Sequence, residues 1–168
     1  MPLAPYIDGF EFAALGGRRT GTWAVADLPR LRERLATLDG ELRFQIDGVS
    51  DGQGRPALHL VVTGILHLTC QRCLESSEFE VNLDSVLALA RSQAAIDMHP
   101  VDVDGPDWIV ASKTMAIGEL IEDELLLDVP LAPMHEGCSE RDVTQGAAGD
   151  SPFAELKGMM RKRNLPPN

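Results

Sequence analysis

Hydrophobic and polar residues alternate along three segments of the chain, and this alternation is its clearest periodic signal. The segments cover residues 42–47, 58–69 and 78–89, and Gly- and Asp-rich residues 48–54 separate the first from the second. Because successive side chains of a strand point to opposite faces, each segment predicts a strand with one buried and one solvated face. Three such strands in succession predict an antiparallel meander. The residues assigned to the buried faces are Leu42, Phe44, Ile46, Leu58, Leu60, Val62, Leu66, Leu68, Phe79, Val81, Leu83, Leu87 and Leu89.

Helical spacing is found in two further segments. Residues 27–38 predict a first helix, which begins at an aspartate N-cap with a proline in its first turn. Residues 116–127 predict a second helix, and two prolines after it prevent continuation. Short strands are predicted at residues 22–26 and 108–110. We therefore expect an α+β fold, an antiparallel sheet meander with two or three helices packed on one side.

A chain of 168 residues is long enough for one hydrophobic core but short for two. We expect a single α+β domain over residues 1–150, followed by a short C-terminal helix and a basic tail over residues 151–168. The acidic segment 92–107 contains two prolines and is expected to be an irregular connection. Apolar runs fall short of the ~18 residues of a membrane span, and the start lacks a signal-peptide pattern. We therefore expect a cytoplasmic protein with no membrane partner.

The net charge of −11 is distributed unevenly along the chain. Residues 56–156 carry a net −14, whereas the last twelve residues carry +4 from Lys157, Arg161, Lys162 and Arg163. An acidic surface repels phosphate backbones, so we expect no DNA partner and no broad nucleic-acid binding by the domain. The basic tail is either a solvated terminus or a short arm that makes weak, salt-dependent contact with RNA.

The three cysteines and one of the four histidines fall in two short motifs. Cys70 and Cys73 form a Cys-x-x-Cys pair at the predicted end of the long strand, and His135 and Cys138 follow the second predicted helix. A Cys-x-x-Cys pair in a tight turn can bind one tetrahedral ion, and the second motif adds two more ligands. The sequence therefore predicts a Cys3His metal site at these four residues, with zinc as the hypothesised ion. Since 61 residues separate the two motifs, the fold must bring them together.

Two other interpretations of the cysteines stay open at this point. The Cys-x-x-Cys pair can be a buried packing feature, with His135 a surface histidine. It can also be a redox pair, although no strand-to-helix pattern surrounds it and an odd cysteine remains. His67 is not expected to be a ligand, because strand alternation places it on the face opposite Cys70.

Glu122, Asp123 and Glu124 are candidates for the acidic cluster of a metal-dependent ribonuclease. Consecutive helical side chains point ~100° apart, so these carboxylates are not expected to converge on one substrate. A solvated acidic face is the simpler interpretation. Glu124 differs because it lies within the apolar arc of the helix, where an unpaired carboxylate is costly. We expect Glu124 to be paired, with Arg72 as the candidate partner.

Several blocks of the sequence form a specific combination. They are CQRCLE at residues 70–75, IEDELLL at residues 121–127 leading to Val129-Pro130, then Pro133, His135 and Cys138, and finally Pro152-Phe153-Ala154. In kind, order and approximate separation these blocks, which span about residues 42–157, resemble the bacterial YceD-like proteins, described as large ribosomal RNA subunit accumulation proteins. The resemblance implies a role in the accumulation or processing of large-subunit ribosomal RNA and carries over no catalytic residue.

The leading hypothesis is a non-enzymatic ribosome-assembly factor in which the four predicted ligands are structural. Its expected partners are ribosomal proteins or a pre-ribosomal particle, because an acidic surface attracts basic proteins. A weak RNA contact would be made by the basic residues of the tail. The alternatives are an enzyme acting on ribosomal RNA, namely a metal-dependent ribonuclease, and a thiol redox protein.

Overall fold

The computed structural model describes residues 6–98, 105–135 and 138 of the chain. Two compact units divide the sequence, residues 1–135 and 136–168, and every element named below belongs to the first unit. In chain order the elements are β1 (Tyr6–Ile7), α1 (Gly9–Ala14), β2 (Arg18–Ala24), β3 (Glu41–Ser50), β4 (Pro56–Thr69), β5 (Ser76–Ala90), α2 (Gln93–Asp97), β6 (Asp107–Val110), β7 (Met115–Ala116) and α3 (Ile117–Asp128).

The main sheet contains five strands in the order β2-β3-β4-β5-β6. Strands β2, β3 and β4 each pair antiparallel with the next strand in sequence, which confirms the predicted meander. Strand β6 is the exception, because it pairs parallel to β5. The longest pairing joins β4 to β5, from Ala57 opposite Ala88 to Thr69 opposite Ser76. The turn of this hairpin, residues 70–75, therefore carries the Cys-x-x-Cys pair.

Burial confirms the alternation predicted for β3, β4 and β5. Every apolar residue assigned to the inner faces is buried, except Phe79, which is half-buried. Two helices lie against this face, because Phe12 of α1 and Ile121 and Leu125 of α3 belong to the same core cluster. The predicted α+β class is therefore correct. The hydrophobic effect explains the arrangement, since the inner face of the sheet and the apolar sides of α1 and α3 bury each other.

The prediction of a first helix at residues 27–38 is wrong. The chain forms two short 3-10 turns there, Val25–Asp27 and Arg32–Arg34. Leu35 then makes an isolated antiparallel bridge with Leu68 of β4. The segment therefore runs along the sheet as an irregular connection between β2 and β3.

Buried leucines and a distant acceptor hold this segment against the core. Leu28, Leu31 and Leu35 are all buried, so their spacing reflects packing against the core. The backbone N–H groups of Arg30 and Leu31 donate to the carboxylate of Glu122, at 2.6 and 3.1 Å. Glu122 of α3 therefore satisfies both of these donors without a helical turn.

The remaining local predictions have mixed outcomes. The second predicted helix is confirmed as α3, and the strands predicted at residues 22–26 and 108–110 correspond to β2 and β6. The pattern does not predict β1, β7, α1 or α2, and α2 lies in the segment expected to be irregular. Predictions for residues 139–168, including the C-terminal helix and the basic tail, lie outside the described residues. None of the described helices has the length and apolarity needed to cross a membrane.

Candidate metal site

The first two candidate ligands lie in the turn between β4 and β5. The backbone N–H of Leu74 donates to the carbonyl of Cys70 at 2.9 Å, and the N–H of Cys70 donates to the carbonyl of Glu75 at 2.9 Å. These two bonds close the turn, so that Cys70 and Cys73 lie on one compact loop. Leu74 has a φ of 63°, in the left-handed region that favours glycine. The turn that brings the two thiols together therefore contains a strained leucine.

The other two candidate ligands follow α3. Val129 packs into the core immediately after the helix. Four residues later, the carbonyl of buried Pro133 accepts the backbone N–H of Gln71 at 2.9 Å. This bond holds the chain beside the cysteine turn two residues before His135. The Sγ atom of Cys73 then lies 3.8 Å from Nδ1 and 3.9 Å from Nε2 of His135, so either ring nitrogen can face a shared ion.

All four predicted ligands offer a donor atom to the same small volume. One donor atom from each of Cys70, Cys73, His135 and Cys138 lies within 4.8 Å of the others. Cys70 and Cys138 are 0% and 4% exposed, whereas Cys73 and His135 are half-buried. None of the three cysteines is in a disulfide. The structure therefore brings together the complete predicted set, although 61 residues separate its two motifs.

The cluster fits a tetrahedral zinc ion in both chemistry and size. Zinc binds thiolate sulfur at ~2.3 Å and imidazole nitrogen at ~2.0 Å, so the ligand atoms of one tetrahedral ion lie roughly 3.5–3.8 Å apart. The distances of 3.8 and 3.9 Å between Cys73 and His135 are close to this value. Three thiols and one imidazole are typical of structural zinc sites, whereas magnesium and calcium take oxygen ligands.

His67 is not part of the ligand group, as strand alternation predicts. It lies opposite Glu78 on β5, and its neighbours on the outer face of the sheet include Arg43 and Thr63. Among the described residues, the group that can hold a metal ion does not contain His67. The side-chain period of two along β4 therefore separates this histidine from Cys70.

Glu122 is not on a solvated acidic face, contrary to prediction. It is 3% exposed, and its carboxylate accepts three hydrogen bonds: the two from the backbone of Arg30 and Leu31, and one from Arg30 Nε at 3.0 Å. Asp123 is exposed and pairs with the same guanidinium at 2.5 Å. The hydrogen bonds that the Arg30 guanidinium donates to Glu122 and Asp123 raise the pKa of Arg30 above its ordinary value. Glu122 therefore anchors the irregular segment to α3, which is a structural role.

Glu124 is buried as expected, but its partner is not Arg72. It is 8% exposed and accepts a hydrogen bond from the hydroxyl of Ser85. Burial raises the pKa of Glu124, and two nearby aspartates add to the rise, while the Ser85 hydrogen bond opposes it. Ser85 lies nine residues along β5 from Ser76, where the cysteine turn ends. At ~3.3 Å per residue this separation is roughly 30 Å, which an arginine side chain cannot span.

Carboxylates line a shallow depression, but they do not form a metal site. Asp84, Asp107, Glu124 and Asp128 border a cavity of about 340 Å³. Within residues 6–98, 105–135 and 138, the Cys3His cluster is the only group of three or more Cys, His, Asp or Glu side chains that can hold an ion. A metal-dependent nuclease needs carboxylates that meet at its ions. The described geometry therefore gives the ribonuclease alternative no support.

Comparison with known proteins decides the family. The YceD family model, described as large ribosomal RNA subunit accumulation protein YceD, matches residues 58–159, which is more than half of the chain. The chain belongs to the YceD family. The YceD match includes both ligand motifs and α3, so the resemblance found in the sequence is confirmed. A comparison with curated proteins and one with solved structures find no match.

Two features that shape the site have no clear signal in the sequence. The carbonyl of Pro133 holds the second ligand motif against the first, yet backbone acceptors leave no mark in residue type. Leu74 occupies a left-handed position at which glycine or asparagine would have predicted the turn. Their only signal in the sequence is the resemblance to the YceD-like proteins, because the matching blocks include Leu74 and Pro133.

Proposed function

We propose that the protein is a non-enzymatic ribosome-assembly factor, needed for the accumulation or processing of large-subunit ribosomal RNA in the cytoplasm. The observation that carries the structural half of this proposal is the convergence of Cys70, Cys73, His135 and Cys138 within 4.8 Å. Membership in the YceD family supports the ribosomal half. In this proposal zinc is a structural ion.

The ligand set supports a structural rather than a catalytic ion. Four protein ligands complete a tetrahedral zinc ion and leave no open position for water or substrate. Bound zinc would supply a cross-link between the β4-β5 turn and the segment after α3. The chain's own contribution to that cross-link is the hydrogen bond from Gln71 to Pro133, which holds the two ligand motifs side by side.

The charge of the chain supports basic proteins as its main partners. Residues 56–156 carry a net −14, which attracts the Lys- and Arg-rich surfaces of ribosomal proteins and speeds their encounter with this chain. The four basic residues after position 156 can add a weak contact to phosphate groups, with little sequence readout. We therefore propose a ribosomal protein or a pre-ribosomal particle as the partner.

Complementation of cells that lack the protein tests the proposal. We expect the ratio of large- to small-subunit ribosomal RNA to fall without the protein and to recover with the wild-type chain. The double substitution of Cys70→Ser and Cys73→Ser should fail to restore the ratio, whereas Met98→Leu, at an exposed residue, should restore it. An unchanged ratio in the deletion strain would contradict the assembly role.

The ribonuclease alternative requires a substitution that does not disturb folding. Glu122 is unsuitable, because its removal would leave the donors of Arg30 and Leu31 unsatisfied. Asp84→Asn and Asp107→Asn change carboxylates of the acidic depression instead. If the purified wild-type chain cleaves precursor RNA in the presence of magnesium, and either substitution abolishes this cleavage, the protein is an enzyme. The assembly proposal predicts no such cleavage by the wild-type chain.

A pull-down at low salt tests the partner separately. The tagged chain should recover ribosomal proteins, and deletion of residues 157–168 should leave this recovery largely intact. If the tagged chain recovers RNA but no ribosomal protein, and the same deletion abolishes this recovery, the main contact would be with RNA and not with a ribosomal protein.

A further inference from the structure

Solvent reaches the four candidate ligands unequally. Cys70 and Cys138 are 0% and 4% exposed, whereas Cys73 is half-buried and directly precedes Leu74, which is 74% exposed. Oxidation of thiols follows access and thiolate character, and a metal-bound cysteine is a thiolate. A small oxidant in solution would therefore meet Cys73 before either of the other two cysteines.

The partner for an oxidised Cys73 lies in the same turn. The hydrogen bond from Leu74 N–H to the Cys70 carbonyl, at 2.9 Å, closes the loop that contains both cysteines. Their Sγ atoms lie within 4.8 Å of each other. A disulfide needs Cα atoms about 4.4–6.8 Å apart, and the Cα atoms of residues three apart in a tight turn lie less than about 7 Å apart. The closed turn therefore already places the two sulfur atoms near each other for bond formation.

From these two observations we infer that the site is a redox switch, in which a hydroperoxide converts Cys70 and Cys73 to a disulfide and releases the zinc. This inference rests on the proposed structural zinc site. It adds a regulation that a closed structural site does not by itself require.

The chemistry proceeds in two displacement steps. The Cys73 thiolate attacks the outer peroxide oxygen, an S–O bond forms and the O–O bond breaks. The leaving alkoxide, or hydroxide when the oxidant is hydrogen peroxide, takes a proton to become the alcohol or water. Cys73 is then a sulfenic acid. The Cys70 thiolate attacks the Cys73 sulfur, the S–S bond forms, the S–O bond breaks, and the departing hydroxide takes a second proton to become water. The two thiolates lose two electrons to the hydroperoxide, and zinc stays Zn²⁺ throughout.

Disulfide formation removes two of the four ligands of the ion. His135 and Cys138 alone do not complete a tetrahedral site, so zinc dissociates. The cross-link between the cysteine turn and the segment after α3 is then lost. Of the hydrogen bonds that join these two segments, the one from Gln71 to Pro133 stays available. We expect faster backbone hydrogen exchange around residues 129–135, whereas the strands of the sheet should remain protected from exchange.

The test uses the full-length, zinc-loaded chain treated with hydrogen peroxide. A zinc-sensitive dye should report about one zinc ion released per chain, and intact mass after thiol alkylation should show one disulfide. Peptide mapping should place it between Cys70 and Cys73. Dithiothreitol with added zinc should restore both the thiols and the bound ion.

Two variants test whether zinc release depends on the Cys73 thiol. Met134 is 61% exposed beside His135, and its oxidation to the sulfoxide could disturb the site. Met134→Leu removes that route and should release zinc like the wild type. Cys73→His keeps four ligand side chains but removes the exposed thiol, so a zinc-loaded sample should resist peroxide.

The outcomes separate this inference from the proposed function. Zinc that is present in the reduced chain but retained after peroxide treatment overturns the switch and leaves the structural site intact. A disulfide that joins Cys73 to Cys138, or release that is lost in Met134→Leu, also overturns it. A reduced chain without zinc overturns the structural site and the switch together.

Discussion

Glu122 makes the sharpest prediction about stability. Replacing it with alanine removes the acceptor of three hydrogen bonds that join α3 to the irregular segment before β3. The N–H of Leu31 is buried, and that of Arg30 is partly buried. An unsatisfied buried donor costs about 1–3 kcal/mol. The Arg30 side chain is 48% exposed, so water can solvate its charge after the substitution. We therefore expect Glu122→Ala to lower the free energy of unfolding by about 3 kcal/mol.

Asp123→Ala is the matched control for this substitution. It removes a carboxylate from the same guanidinium, but Asp123 is 57% exposed, and exposed ion pairs contribute at most about 1 kcal/mol. Urea unfolding followed by circular dichroism should give a lower midpoint for Glu122→Ala than for Asp123→Ala, with similar slopes. Hydrogen exchange at Leu31 should also be faster in Glu122→Ala. Free energies of unfolding of the two variants that agree within ~0.5 kcal/mol would refute the anchoring role of Glu122.

Three further predictions concern single positions, and a fourth concerns the C-terminal tail. Leu74→Gly should raise the free energy of unfolding by about 1 kcal/mol, because glycine removes the strain of a φ of 63°; Leu74→Ala should give no such gain in the same urea assay. Gly48→Ala should lower it by about 3 kcal/mol, because the new Cβ would lie 2.1 Å from the Phe12 carbonyl oxygen; normal midpoints would contradict this contact. Burial raises the pKa of Glu124 above its ordinary value of 4.5, so folding favours the protonated carboxyl group. The free energy of unfolding of the wild type, relative to that of Glu124→Gln, should therefore be highest below pH 4.5 and should fall as the pH rises through the raised pKa. A difference that does not change with pH would contradict this. Deleting residues 157–168 should weaken RNA binding and flatten its salt dependence in a titration, and equal salt slopes would show that the tail does not touch RNA.

The sheet was predictable because its signal is local. Along β4 the residues from Leu58 to Leu68 alternate between core and solvent, and each position can be read from its own residue type. The ligand set was predictable for a chemical reason, since few arrangements other than metal binding combine Cys-x-x-Cys with a second His and Cys motif. The pairing of these two motifs in space was not readable from periodicity. It required the chain to return from α3 to the turn after β4.

The errors share one physical cause, which is that a distant residue decided the local structure. In the first predicted helix, the N–H donors of Arg30 and Leu31 bond to Glu122, which lies 92 residues from Arg30. The same contact turned a presumed solvated glutamate into a buried one. Glu124 was correctly predicted to be buried, but the prediction of its partner was wrong. Arg72 lies in the turn of the long hairpin, far along β5 from Ser85, which is the actual partner. No pattern within one segment carries such information.

Zinc content is the measurement that tests the central claim most directly. The purified, reduced, full-length chain should contain one zinc ion per molecule by elemental analysis. The ion should be lost in Cys70→Ser, and its removal by a chelator should lower the unfolding midpoint of the wild type. Absence of zinc from the reduced wild type, together with an unchanged midpoint in Cys70→Ser, would contradict the structural metal site.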